Sequence, residues 1–107
     1  MSFVIKVFEA FDNRDIEAVA NLTHEDFVQV DDYEMASRED WLEELRVLFE
    51  SGNTPDFTRD RTVIADQRDI FSMQFTREIE GVLYKITNVF LKRDGKFWRY
   101  QVNRVQI

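Results

Sequence analysis

The chain has 107 residues, 44% hydrophobic and 33% charged, which sizes it for one domain over 1–107 and excludes a disordered or low-complexity protein. It contains no Cys, so disulfides, thiolate metal sites and cysteine nucleophiles are excluded, and no apolar run approaches the ~18 residues of a membrane span. The formal charge of −7 divides into −10 over residues 1–54 and +3 over 55–107, which makes nucleic acid and anionic membranes poor partners. With no basic start leading into an apolar segment, a cytoplasmic protein is expected.

Phe3, Val4, Val7, Phe8 and Phe11 fall on one stripe at helical spacing. Asp12-Asn13-Arg14 breaks that helix, and Asp15 is a good N-cap for a second, Ile16 to Leu22. Residues 26–33 alternate Phe27, Gln29, Asp31 and Tyr33 against Val28, Val30 and Asp32, which predicts a strand. Ser37-Arg38-Glu39-Asp40 is a capping-box start for a helix carrying Trp41, Leu42, Leu45, Leu48 and Phe49 on one side, with Gly52 and Pro55 as its stop. The periodicity then becomes two-fold, predicting strands near 56–66, 69–79, 82–93 and 96–106. Glu80-Gly81 and Asp94-Gly95 are two-residue turn signals between them.

A two-residue turn fixes which residues face each other. Turning at Glu80-Gly81 sets Met73 opposite Asn88; turning at Asp94-Gly95 sets Asn88 opposite Gln101. One face of the last three strands then carries Phe71, Met73, Phe75, Ile79, Val82, Tyr84, Ile86, Phe90, Phe97 and Val105, interrupted by Arg77, Asn88, Arg99, Gln101 and Asn103. The other carries Leu83, Val89, Leu91, Trp98, Tyr100 and Val102, more apolar surface than a monomer leaves wet. The first face should receive the helices, and the second predicts a homodimer formed through the face bearing Trp98 and Tyr100. Strands of about 11 residues span about 35 Å, so the sheet must bend around what it covers, leaving a cone with a pocket at its mouth. The facing of Arg59 and Arg61 stays open, because the loop at 66–69 admits several lengths.

Buried amides need partners, so Asn88, Gln101 and Asn103 read either as a core network or as a lining that awaits a ligand. With Gln29, Tyr84 and Arg99 they form the candidate binding set; for Arg99 the alternative is a structural ion pair. Asp31, at the inner end of the first strand, is the candidate general base, or else a strand-end aspartate in contact with water. His24, the single histidine, reads as a loop or helix-end residue, and no second ligand stands at metal spacing, so neither metal nor cofactor is expected.

The stretches Phe8-Glu9-Ala10-Phe11-Asp12-Asn13-Arg14-Asp15-Ile16-Glu17-Ala18-Val19, Glu25-Asp26-Phe27-Val28-Gln29-Val30-Asp31 and Ser37-Arg38-Glu39-Asp40-Trp41 occur in an order that resembles the nuclear transport factor 2-like superfamily. Within it, the chain is similar to the SnoaL-like and ketosteroid isomerase-like small proteins. The resemblance implies an α+β fold, a cone-shaped, curved, mainly antiparallel sheet wrapped on three N-terminal helices. It also implies dimerisation through the convex sheet face and a ligand in the concave pocket. Carried over by residue, the isomerase base falls on Asp31 and its second oxyanion donor near Asn88 or Thr87, but its tyrosine donor falls on Val7, which has nothing to donate. Steroid isomerisation is therefore disfavoured, as is the Asp-Arg-Asp epoxide chemistry of the superfamily, since no long strand offers Arg-x-Asp on one face. Two functions remain: a small-molecule binding or processing protein with acid–base work by Asp31 on a carbonyl-bearing apolar ligand, or a non-catalytic dimerising or carrying module with a filled pocket.

Overall fold

The apolar stripe of the first segment becomes α1 (Phe3–Asp12), which buries Val7, Ala10 and Phe11. Asp15 caps α2 (Ile16–Asn21), its carboxylate accepting from the Ala18 N–H at 3.2 Å. Ser37 does the same for α3 (Arg38–Ser51), its hydroxyl accepting from the Asp40 N–H at 3.2 Å, and α3 turns Trp41, Leu45 and Phe49 inward. The computed structural model describes residues 3–31, 34–51 and 59–107; Tyr33, Gly52, Pro55 and the start of the strand expected at 56–66 lie outside them.

Among the described residues six strands form one curved, mixed sheet: β1 (Thr23–Asp31), β2 (Glu34–Ser37), β3 (Arg59–Asp66), β4 (Ile70–Ile79), β5 (Val82–Arg93) and β6 (Lys96–Gln106). Their order is β2-β1-β6-β5-β4-β3 and the sheet is not closed. β1 lies parallel to β6 and every other pairing is antiparallel. The short β2 was not expected, and β1 starts three residues before the predicted strand. The helices pack on the concave face over a core whose deepest side chains are Phe27, Phe71, Phe97, Val7 and Val19.

Both two-residue turns form as expected. Glu80 and Gly81 have φ of 51° and 82°, Asp94 and Gly95 of 54° and 72°, which is the left-handed pair a tight hairpin needs, and Ile79 faces Val82 as Arg93 faces Lys96. From the first turn β4 and β5 stay in step down to Phe71 opposite Phe90, with Met73 opposite Asn88.

The second hairpin departs from the expected register. Lys92 pairs Phe97, but Leu91 pairs Arg99, so Trp98 is an extra residue in β6. Beyond this bulge every β6 side chain exchanges faces: Asn88 opposes Val102 and Val89 opposes Gln101. Tyr100 and Val102, assigned above to the outer face, turn inward, while Arg99, Gln101, Asn103 and Val105 turn outward. Arg61 faces the helices, bonding Asp12 of α1 at 2.6 Å and lying 4.1 Å over the Phe8 ring.

The inward turn of Tyr100 completes a column of rings. Phe97 stacks on Phe90 at 3.9 Å and Phe90 on Tyr100 at 4.3 Å, and Trp41 meets the Tyr100 ring edge-on at 5.9 Å. Trp41, Phe90 and Phe97 belong to the core, and Tyr100 packs against it.

Candidate functional site

A chamber of about 150 Å³ remains between α3 and the concave sheet face. Its walls are Phe11, Trp41, Leu45, Leu48, Phe75, Ile86, Phe90 and Val102, with Gln29, Glu44, Arg77, Asn88, Tyr100 and Arg104 as its polar groups. Gln29, Glu44 and Arg104 also border a wider vestibule of about 490 Å³, so the two spaces adjoin. The vestibule lies under β2 and the start of α3, where Asp31, Glu34, Asp40, Glu43 and Glu44 surround the single base Arg104.

Asn88 is the polar centre of the chamber. Only 6% exposed, it accepts a hydrogen bond from the Tyr100 hydroxyl through Oδ1 at 2.9 Å, and its backbone carbonyl accepts from the Ser72 hydroxyl. Burial pushes the Tyr100 phenol above its ordinary range; Arg104 and Arg77 oppose that shift and Asp31 adds to it. Arg77, on the same face, has its guanidinium pKa lowered by burial and by the charge of Arg104.

The sequence-derived set divides. Gln29, opposite Tyr100 across the parallel pair, borders both spaces, and Asn88 lines the chamber. Tyr84 shares the concave face opposite Arg77 but packs against the core. Asp31 stands at the vestibule rim with its side chain 30% exposed, and an Arg104 nitrogen lies 3.5 Å from its carboxylate. Arg99, Gln101 and Asn103 point to the convex side and do not meet Asn88. Among the described residues Arg99 makes no ion pair there: it donates to the Asp26 carbonyl at 2.6 Å and stacks 3.9 Å over Trp98. His24 belongs to β1, where its Nδ1 accepts from the Asp26 N–H at 3.0 Å. Val7, where the resemblance would set the isomerase tyrosine, is 1% exposed in the core.

Tyr100 and Arg104 were missed as site residues because both follow the bulge. Arg77 was on the correct face but was read only as an interruption of it. Among the described residues no three His, Cys, Asp or Glu side chains gather as a metal site, and no helix is long and apolar enough to cross a membrane.

Residues 4–100 match the model of the SnoaL-like domain, and the chain belongs to that family. No curated protein matches it by sequence. A crystal structure from Sphaerobacter thermophilus covers 100% of this chain and 99% of its own at 12% identity, with a TM-score of 0.72. A Kribbella flavida protein, provisionally named a ketosteroid isomerase, covers 97% of this chain and 76% of its own at 16% identity and TM-score 0.72. IdmH of Streptomyces antibioticus, provisionally named a polyketide cyclase, covers 94% and 88% at 19% identity and TM-score 0.63. A de novo designed protein with a curved β-sheet is similar as well, at 16% identity and TM-score 0.66. These identities establish a shared fold, and a designed chain among them shows why activity must be argued from the site.

Proposed function

We propose that this protein binds a small, largely apolar molecule in the chamber between α3 and the concave face of the sheet. The observation that carries the reading is Asn88, a buried amide on an apolar wall, in a chamber that adjoins a wider vestibule. Family membership supports it, as do structural neighbours provisionally named for work on ketosteroids and polyketides. A thermal-shift screen of small cyclic compounds against the parent and Ile86→Phe, which fills the chamber, tests it. Compounds that stabilise the parent and not the filled variant support the reading; equal shifts in both remove it.

Acid–base work by Asp31 is the second reading, favoured by its reachable position on the vestibule rim. Its ion pair with Arg104 at 3.5 Å engages the carboxylate and favours plain binding over proton abstraction. Carbonyl substrates turned over equally by the parent and Asp31→Asn would eliminate the catalytic role.

The reading includes a homodimer through the convex face. Val30, Leu83, Leu91 and Val105 are 40–54% exposed there, with individual values of 41%, 40%, 44% and 54%, beside a groove bordered by Val89 and Gln101. Tyr100 leaves the interface proposed from sequence and Trp98 stays on it, held between Arg93 at 3.8 Å and Arg99 at 3.9 Å. A dimer mass at micromolar concentration, reduced to that of a monomer by Leu91→Glu, is the expected result.

A further inference from the structure

His24 ties the start of β1 to the turn of the second hairpin. Its Nδ1 accepts from the Asp26 N–H at 3.0 Å, and its Nε2 lies 3.4 Å from an Asp94 carboxylate oxygen, with the side chain 11% exposed. A ring nitrogen that accepts carries no proton, so this imidazole is the neutral tautomer with its hydrogen on Nε2. The stretch it holds is irregular. Thr23 pairs with Phe97 and Val28 with Arg99, so residues 24–27 of β1 stand opposite the single bulged Trp98 of β6.

Asp26 carries this arrangement to the convex face. While His24 holds its N–H, its carbonyl accepts from Arg99 at 2.6 Å. Arg99 lies 3.9 Å over the Trp98 ring, which Arg93 also meets at 3.8 Å. Clamped in this way, the Trp98 indole nitrogen is buried and has no acceptor among the described residues, a cost that release to water would remove.

Histidine is the side chain whose charge changes between about pH 5 and 8. A second proton goes to Nδ1, after which both ring nitrogens donate. Nδ1–H set against the Asp26 N–H is repulsive, whereas the Asp94 carboxylate attracts the new charge. The surrounding elements contribute Glu25 and Asp26 from β1, Arg93 from β5, Lys96 and Arg99 from β6, Glu17 from α2 and Arg38 from α3. Among the described residues Asp94 is the carboxylate that pairs with the ring.

We propose that His24 is a pH-sensitive latch of the convex face. Neutral, it holds the Asp26 backbone so that the carbonyl anchors Arg99 over Trp98. Protonated, it keeps Asp94, gives up the Asp26 N–H and lets Arg99 and Trp98 leave their clamped positions. The latch belongs to the single chain; that acid loosens the homodimer rests on the dimer reading above.

The test is NMR of isotope-labelled protein with hydrogen exchange, between about pH 7.5 and 5. As the His24 ring titrates, the Asp26 amide should lose at least about tenfold of its exchange protection, after correction for the intrinsic rate. The Trp98 indole signal should move with the same midpoint, while that of Trp41, in the core, stays in place. His24→Asn supplies a carbonyl oxygen to the Asp26 N–H and does not titrate, so it should abolish both changes. His24→Leu offers no acceptor and should show the acid behaviour already at about pH 7.5. Unchanged Asp26 and Trp98 signals while the ring titrates, or the same changes in His24→Asn, would overturn the latch. Should His24→Leu not fold, the parent and His24→Asn decide the matter. In sedimentation the parent dimer should dissociate about threefold more readily at about pH 5.5 than at about pH 7.5, and His24→Asn should not. An equal response in both proteins would overturn the link to the dimer. A monomer at every pH would remove the dimer reading, and the NMR result would still decide the latch.

Discussion

The two hairpins of this sheet begin alike and end differently. Each turns on an acidic residue and a glycine at positive φ, yet β4 and β5 stay in step through ten consecutive pairs while β5 and β6 slip at Trp98. The lesson is that a tight turn sets the register only as far as the first bulge. One additional residue decides that Tyr100 and Val102 meet the helices and that Gln101 and Asn103 do not.

The sharpest way to break this comparison is to delete one residue from each hairpin. Removing Gln74 from the regular one should swing Met73 and Phe71, 3% and 0% exposed, onto the convex face. Each loses about 1.5–3 kcal/mol of burial and leaves a void behind, enough to abolish cooperative unfolding in a domain stable by about 5–15 kcal/mol. Removing Trp98 instead joins Phe97 directly to Arg99 and leaves every other β6 side chain on its present face. That deletion should retain a cooperative thermal transition.

Point substitutions on either side of the bulge sharpen the same contrast. Val102→Gln places an amide against the chamber wall and should cost about 2–4 kcal/mol in denaturant unfolding, through lost burial and an unsatisfied group. Tyr100→Phe strands the Asn88 carbonyl oxygen and should cost about 1–3 kcal/mol. It should also alter the alkaline limb. The folded phenol pKa lies above the ordinary 10.0, so the unfolded chain loses that proton first. The stability that Tyr100 contributes is therefore full below about pH 10 and declines above it in the parent, and Tyr100→Phe should lack this part of the decline. Gln101→Leu, one residue away but on the convex side, should change monomer stability by less than about 0.5 kcal/mol.

Much of the fold was legible because its signals are local. Asp15 and Ser37 mark helix starts through the hydrogen bonds their own side chains accept. Glu80-Gly81 and Asp94-Gly95 mark turns because few residue pairs suit two successive left-handed positions. What escaped is non-local. The four residues of β2, Glu34–Ser37, are too few to show an alternating pattern and are held in the sheet by Asp31, Val30, Gln29 and Val28 of the neighbouring strand. Trp98 carries no mark of a bulge in its own chemistry; its surroundings create one, with Phe97 fully buried on one side and two guanidinium groups against its ring on the other. The site inherited that divide. Asn88 and Gln29 were placed correctly through the regular hairpin and the alternation of β1, whereas Tyr100 and Arg104 depended on the irregular one.

The parallel pairing of β1 with β6 has a consequence for how the chain reaches this structure. Thr23 pairs with Phe97, and the Phe97 N–H donates to the Leu22 carbonyl at 2.8 Å, contacts between segments far apart in sequence. During synthesis the acidic half emerges first and has to wait with its first strand unpaired on that side until Phe97 and Tyr100 leave the ribosome. Closing so long a span before any contact rewards it is slow, and a ribosome stalled before residue 97 would carry helices and hairpin without the strand that joins them.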